Sequence, residues 1–393
     1  MSGGGDAGAV GSRPRVVYVQ LADPGLLTPA EASRRWPTMP ATLRALAATG
    51  AVDAVAVART RDRDRRFLRD GVEYRAVRDR SRRGWRVLVA VRAARPDVVH
   101  LNGLIFPWAA IALRLGLGRR ARIVCQHHGE PVPPSRRARL LARLARWTTD
   151  AYLFTGAAYG QAEPWIAAGV LRATTPLYEV LESASDLVAL EPGEARRRCG
   201  VDGDPAVVWV GRLNAGKDPH TALEAFAELA VRHPGARLWM LRTELADPLG
   251  VGAAIDADPW LRGRVRLAGP VAHAEMAAWY SAADLFLATS HHEGSGYALI
   301  EALACGAAPV VSDIAPHRAI VGAVARRFPP ADVAAAAAAL GAANAQRPSR
   351  STVLAHAAAA TSWEAIARQL LTAYGLPASA PSQLSGRPTP SGG

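Results

Sequence analysis

Lysine is almost missing from this chain. Of 47 basic residues among 393, one is lysine, Lys217, and the other 46 are arginine. Cysteine is scarce as well. Cys125, Cys199 and Cys305 are odd in number, far apart and without CxxC spacing, which argues against a disulfide framework or a cysteine zinc site. No uncharged apolar stretch reaches the ~18 residues of a membrane-spanning helix. The opening MSGGGDAGAVGSRPR has no apolar core, so it does not read as a signal peptide. With no leader or span to read, a cytoplasmic location is expected. No GxGxxG follows a strand-like run, which disfavours a Rossmann dehydrogenase. Hydrophobic residues make up 50% and charged residues 21%, so collagen, coiled coil and global disorder are excluded.

Positive charge is what the chain has in excess, and it is unevenly placed. Residues 1–187 carry 29 arginines against 16 acids, whereas residues 188–393 carry 18 bases against 18 acids. The whole formal excess of +13 therefore belongs to the first half. Two explanations stand side by side. One is an anionic partner, such as an acidic membrane surface or a phosphorylated or lipid-linked acceptor. The other is an arginine-rich solvated surface produced by GC-rich coding. No nucleic-acid recognition motif occurs, so nucleic acid is not an expected partner. A lysine kept against such a bias marks a place where arginine does not serve.

Short apolar runs alternate with amphipathic stretches. Val16–Leu21, Val52–Ala58, Val98–Leu101, Ile123–Gln126 and Ala151–Phe154 read as strands, with helices over Ala41–Thr49, Trp85–Ala94, Trp108–Leu115 and Ser135–Thr148 between them. The pattern pauses at Leu190–Pro205 and restarts. Val207–Val210, Arg237–Leu241, Val265–Ala268, Leu285–Ala288 and Ala308–Val311 then alternate with helices at Pro219–His233, His273–Ala282, Tyr297–Cys305 and Asp332–Ala342. This predicts an α/β protein with two Rossmann-like parallel-sheet domains, over residues 14–190 and 206–360, joined by a linker at 191–205. Residues 1–13 and 376–393 are rich in Gly, Ser and Pro and read as disordered. Ligands are expected in a cleft at the carboxyl ends of the strands.

Two clusters lie at such ends. Strand Ala206–Val210 runs into Gly211-Arg212-Leu213-Asn214-Ala215-Gly216-Lys217, before a helix opened by Asp218-Pro219. Arg212 as a planar fork and Lys217 as a point charge, beside a helix N-terminus, suit a diphosphate. Strand Leu285–Ala288 leads to Glu293-Gly294-Ser295-Gly296-Tyr297-Ala298-Leu299, and Glu301 follows Glu293 by eight residues. Glycines there let the backbone approach a ligand, and a carboxylate at each end can hold hydroxyls. Glu293 as a helix cap and Glu301 as a surface charge is the plainer alternative. Glu301, however, sits in an apolar helix where a carboxylate needs partners.

Together these clusters resemble the retaining GT-B glycosyltransferases of family 4. That family carries a G-R-L-x3-K loop, and Gly211-Arg212-Leu213 with Lys217 is similar to it. It also carries an E-G-x-G/S…E element followed by A-x-A-C-G-x-P-V-V, which Glu293, Gly294, Glu301, Cys305, Gly306, Pro309, Val310 and Val311 resemble. Ala282-Ala283-Asp284-Leu285-Phe286 is similar to the family's strand lead-in. Ser362-Trp363-Glu364, Leu371 and Tyr374 are similar to its terminal helix, placed at 361–375, which crosses back to the first domain. In the first half, Pro96–Gly103 and Ile123–Gly129 resemble family strands, with Asn102 in place of a second histidine. They point to Asn102, His127 and His128 on the acceptor side. Glu182–Asp186 stands where the family has an N-G-V-D-like turn. The family's Gly-Gly pair after the first strand is replaced by Ala22-Asp23-Pro24-Gly25-Leu26.

The resemblance implies a hexosyltransferase-type enzyme acting on a nucleotide-sugar with retention of configuration. Catalytic roles are implied for Arg212, Lys217, Glu293 and His128. Donor binding is implied for Gly211, Arg212, Lys217, Glu293, Gly294, Ser295, Gly296, Tyr297, Ala298, Leu299 and Glu301. Glu301 would hold the ribose and Glu293 the sugar, with Arg212 and Lys217 on the diphosphate. No cofactor and no metal are implied. Asp62-Arg63-Asp64 and Asp202-Gly203-Asp204 lie away from strand ends. The competing class is a non-catalytic nucleotide-sugar binder of this fold, or a GT-B epimerase.

The stretch Ser135–Thr148 is basic and amphipathic. Leu140, Leu144 and Trp147 recur at helical spacing, beside Arg136, Arg137, Arg139, Arg143 and Arg146. A core-packed helix with a solvated basic face is the commoner meaning of this pattern. A helix lying on the inner face of an anionic membrane is the other.

Overall fold

The computed structural model describes residues 13–22, 38–81 and 83–377. Most of the first loop, Asp23-Pro24-Gly25-Leu26, lies outside the described residues, as do residues 1–12 and 378–393 of the expected disordered ends.

In the first half the strands are β1 (Arg15–Gln20), β2 (Asp53–Thr60), β3 (Arg65–Arg69), β4 (Val72–Arg78), β5 (Val98–Asn102), β6 (Arg122–Gln126), β7 (Ala151–Phe154) and β8 (Leu177–Glu179). In the second half they are β9 (Ala206–Gly211), β10 (Arg237–Arg242), β11 (Val265–Ala268), β12 (Leu285–Ala288), β13 (Ala308–Ser312) and β14 (Arg326–Phe328). Strands such as β7 and β13 are buried along their whole length. Parallel sheets covered on both faces require such continuous apolar runs.

By its contacts the chain divides into two units. One holds the chain up to Gln126, with Leu140–Ala151 and the segment from Leu370 onward; the other holds His127–Arg139 and Tyr152–Gln369. In the first unit the strand order is β3-β4-β2-β1-β5-β6, parallel except for the β3–β4 hairpin. The hairpin turn is Asp70-Gly71, with φ of 51° and 73°. Both turn residues take the left-handed region that a tight two-residue hairpin demands, which Asp and Gly tolerate. Strand β3 ends the sheet order and all five of its residues are exposed. Tyr374, near the end of the last helix (Trp363–Tyr374), is buried beside His100 at 2.7 Å, and Arg122 donates to the Ala373 carbonyl at 3.1 Å.

The second unit carries a six-stranded, all-parallel sheet ordered β11-β10-β9-β12-β13-β14. Its core gathers Trp209, Phe226, Leu238, Leu287, Val310 and Leu340. The segment expected as a linker, 191–205, contains the helix Pro192–Cys199. Glu191 caps that helix through its carboxylate, and Ala195 buries itself with Val201, Ala206 and Ala282. Residues 177–190 group with this unit because Leu181 and Asp186 bond Gln369 and Trp363. No helix among the described residues is long and apolar enough to cross a membrane.

The basic helix runs over Arg136–Ala145 and corrects the expectation of a core-packed apolar face. Leu140, Leu144 and Trp147 are exposed, and the helix is seated by Ala142 and Ala145 instead. Alanines let it lie close to its neighbours, so the larger side chains point outward.

Candidate functional site

The two loops singled out above meet in the second unit. Strand β9 ends at buried Gly211, and the chain turns through Arg212–Asp218 into the helix Pro219–Arg232. Asp218 caps that helix: its carboxylate accepts from the Thr221 N–H at 3.2 Å and the Thr221 hydroxyl at 2.7 Å. The Asn214 side chain accepts from the Lys217 N–H at 3.0 Å, which shapes the loop. From the end of β12, Thr289 reaches the carbonyls of Lys217 and Asp218 at 2.8 and 2.7 Å, while Trp209 donates to the same hydroxyl at 3.2 Å. Those bonds tie the loops after β9 and β12 together.

Lys217 is thereby brought onto Glu293, and their side chains pair. Ser290 donates to the same carboxylate oxygen, Oε1, at 2.7 Å. Burial pushes the Glu293 carboxyl up, but the Lys217 ammonium and the two hydrogen bonds outweigh it and hold the group below its ordinary value. Arg212 stays exposed, and its guanidinium makes no hydrogen bond or ion pair among the described residues. One cation of the pair is thus fixed and the other can swing.

Beyond Glu293 the chain enters the helix Tyr297–Ala304, whose start carries no side-chain cap among the described residues. Gly296 precedes it, and its carbonyl accepts from the Leu299 and Ile300 N–H groups at 3.0 and 3.1 Å. Tyr297 is exposed, whereas Leu299 is buried. Ala298, Gly296 and Leu299 line a cavity of about 20 Å³ together with Lys217, Glu293 and His317. Glu301 has its partners: the hydroxyl of buried Tyr280 donates to one oxygen at 2.9 Å, and His273 stands 2.8 Å from the other.

His128 joins the site through a residue that the sequence marked only as the start of a turn. Glu182 is buried, and its Oε2 accepts from the Ser295 hydroxyl and lies 3.0 Å from His128 Nδ1. A carboxylate there selects the imidazole tautomer with its proton on Nδ1, so Nε2 presents a lone pair. Both His128 Nε2 and Glu182 Oε1 are buried without a hydrogen-bond partner among the described residues. Backbones touch at the same place: a Cβ at Gly294 would stand 2.9 Å from the Gly129 Cα. Only two glycines fit such an approach.

His127 is different. It is buried, stacked on Phe154 with ring centroids 4.8 Å apart, and its Nε2 donates to the Glu130 carbonyl at 3.0 Å. Those contacts are structural. Asn102 belongs to the first unit, at the end of β5, where it donates to Gln20 at 2.7 Å. His317, also unforeseen, is buried beside Glu293, and its Nδ1 donates to the Ser312 carbonyl at 2.9 Å.

Burial lowers the pKa of both His127 and His317 from 6.5. Each stays neutral when folded and takes a proton more readily when unfolded. Their stabilisation is therefore full above about pH 6.5 and is lost as pH falls below it. Glu293, lowered from 4.5, adds a second loss on the acid side of that value. Thermal melts should show a flat Tm above about pH 7 and a decline from about pH 6.5 downward. His317→Asn, which keeps a donor near Ser312, should make the first part of the decline shallower. A Tm unchanged to about pH 5 would contradict the assignment.

Residues 204–344 match the family model described as glycosyl transferases group 1. A D-inositol 3-phosphate glycosyltransferase from Frankia alni is 34% identical over 145 residues, which is 34% of this chain and 35% of that protein. The chain thus matches about a third of the length of such curated relatives. Two solved structures are similar across nearly the whole chain. A glycosyltransferase from Rickettsia africae has a TM-score of 0.68 at 12% identity, covering 92% of this chain and 98% of that one. The Anabaena protein HepE, solved with UDP, has a TM-score of 0.64 at 17% identity, covering 91% and 98%. With two parallel-sheet α/β domains, the fold is GT-B.

Proposed function

We propose that the chain is a retaining, metal-independent glycosyltransferase that moves a sugar from a nucleoside-diphosphate donor to an anionic or lipid-linked acceptor. The Lys217–Glu293 pair carries this reading. Glu293 uses Oε1 to hold Lys217 and Ser290, which leaves Oε2 for sugar hydroxyls. Lys217 meets the diphosphate as a fixed point charge, and exposed Arg212 closes on it as a fork. Charge developing on the leaving diphosphate is stabilised by groups already in place, which is the main source of rate acceleration at such a site. These two cations supply the charge that a metal ion supplies elsewhere. His128, held by Glu182, accepts a hydrogen bond at Nε2 from a substrate hydroxyl. Glu301, oriented by Tyr280, takes the ribose. Retention by a front-face route needs no protein nucleophile, and none is assigned.

Support for the nucleotide comes from HepE, whose structure holds UDP. The net positive first half supports the acceptor class.

The test is a panel of UDP- and GDP-sugars, read by thermal shift and by release of nucleoside diphosphate, with and without EDTA. One donor should raise Tm and be slowly hydrolysed, equally in both conditions, and the released sugar should keep its anomeric configuration. Failure of every donor to shift Tm would overturn the reading. Loss of release in EDTA would overturn metal independence alone.

A further inference from the structure

The helix Arg136–Ala145 presents its large apolar side chains to solvent, with arginines along both sides. Leu140 is 61% exposed, Leu144 56% and, in the turn that follows, Trp147 64%. At 3.6 residues per turn, positions 140, 144 and 147 form one stripe. Arg136 and Arg143 fall on one side of the stripe and Arg137 on the other. Buried Ala142 and Ala145 sit on the opposite face. No acid occurs between Glu130 and Asp150.

A neighbouring element carries further exposed apolar and basic side chains. Leu115, 83% exposed, lies near the end of the helix Pro107–Leu117, and exposed Arg119 and Arg120 follow. Arg114 ties that end to the turn after Trp147, since its guanidinium donates to the Thr148 carbonyl at 3.1 Å and pairs with Asp150.

We infer that this face docks on an anionic lipid bilayer, with Leu140, Leu144 and Trp147 entering the interface and the arginines on lipid phosphates. Three observations select that occupant. The apolar stripe is narrow and flanked by cations at one level, the arrangement of a helix lying in a membrane plane. Tryptophan stands at its end, with an apolar ring and a polar N–H that suit the headgroup boundary. Arg146 stands 5.6 Å from the Trp147 ring, which sets a cation beside the aromatic anchor. A snug protein pocket would need acids matched one by one, whereas a lipid surface meets such a row without matching. The inference is independent of the proposed reaction, because vesicle binding is read without donor or acceptor.

The full chain is mixed with vesicles of phosphatidylcholine alone or with about a third phosphatidylglycerol, and co-sedimentation is measured at low and high salt. Binding should be at least about tenfold stronger to the anionic vesicles and should fall steeply with salt, since exposed charges are screened. Leu140→Gln, Leu144→Gln and Trp147→Gln combined should lower it at least about tenfold, because three apolar groups leave the interface. The replaced side chains are exposed, so Tm and UDP-induced thermal shift should not change. Arg137→Gln with Arg143→Gln should weaken binding and flatten its salt dependence. Absence of binding to anionic vesicles at low salt overturns the inference, and an acidic protein partner for this face then replaces it. Equal binding of the triple variant and the parent overturns it too.

Discussion

Lys217→Ala should weaken UDP binding by about two orders of magnitude and lower kcat/KM at least as much. Two losses add. One is a charge-assisted hydrogen bond to phosphate, worth about 1.5–3 kcal/mol. The other is the loss of the partner of Glu293, whose side chain is 14% exposed. An unpaired carboxylate at that depth destabilises the free and the bound protein alike, so what it adds to the binding loss is its repulsion of the diphosphate. Each ~1.4 kcal/mol is a factor of ten, so the lost hydrogen bond and the repulsion together come to about a hundredfold. Burial would then be opposed chiefly by the Ser290 hydrogen bond, so the Glu293 pKa should rise. Titration calorimetry with UDP and steady-state kinetics provide the check. Lys217→Arg should recover only part of the loss, because a planar fork cannot take the place of a point charge between Glu293 and a phosphate. Binding by Lys217→Ala within about twofold of the parent would remove the diphosphate assignment.

Gly294→Ala is the second large effect, and it arises from shape alone. Gly294 has no positive φ, so alanine suffers no backbone penalty there. The new methyl would stand 2.9 Å from the Gly129 Cα and 3.0 Å from its N. Backbone cannot rotate away as a side chain can. The two loops must part by about half an ångström or more, and with them His128 and Glu293. Displacements of about 1 Å cost catalytic sites as much as a hundredfold. We expect kcat/KM to fall about ten- to a hundredfold while Tm falls by a few degrees. Gly129→Ala should be worse for stability, because φ there is 78° and a methyl adds roughly 1 kcal/mol of strain to the same collision. Equal stability losses in the two variants, with activity retained, would show that the loops give way freely.

Much of this was legible in the sequence because parallel sheets announce themselves. Ala151–Phe154 and Leu285–Ala288 are apolar runs too short for helices, and each is a strand over those residues. Lys217 and Glu293 were legible as a type of chemistry on two loops. Their contact was not, since 76 residues separate them. Glu182 was hidden for a related reason. Its partners lie 54 and 113 residues away, so no local pattern marks it as buried. The β3–β4 hairpin was missed although Asp70-Gly71 is a strong turn signal, because the flanking arginines mask the alternation of the strand. Amphipathy fixed the stripe of Leu140, Leu144 and Trp147 but not its direction, since Ala142 and Ala145 form an equally regular opposite face. Either face could have turned inward on spacing alone.

The exposed strand β3 has a consequence for how copies of the chain meet. It ends its sheet with Phe67 and Leu68 in the open and with ladder groups that another strand could pair. Edges of that kind seed self-association. Arg65, Arg66 and Arg69 stand along that edge, each paired with an acid of its own chain, Asp62, Glu73 and Asp70. A strand added there would have to displace or desolvate those exposed pairs, which makes the edge a poor template for polymerisation.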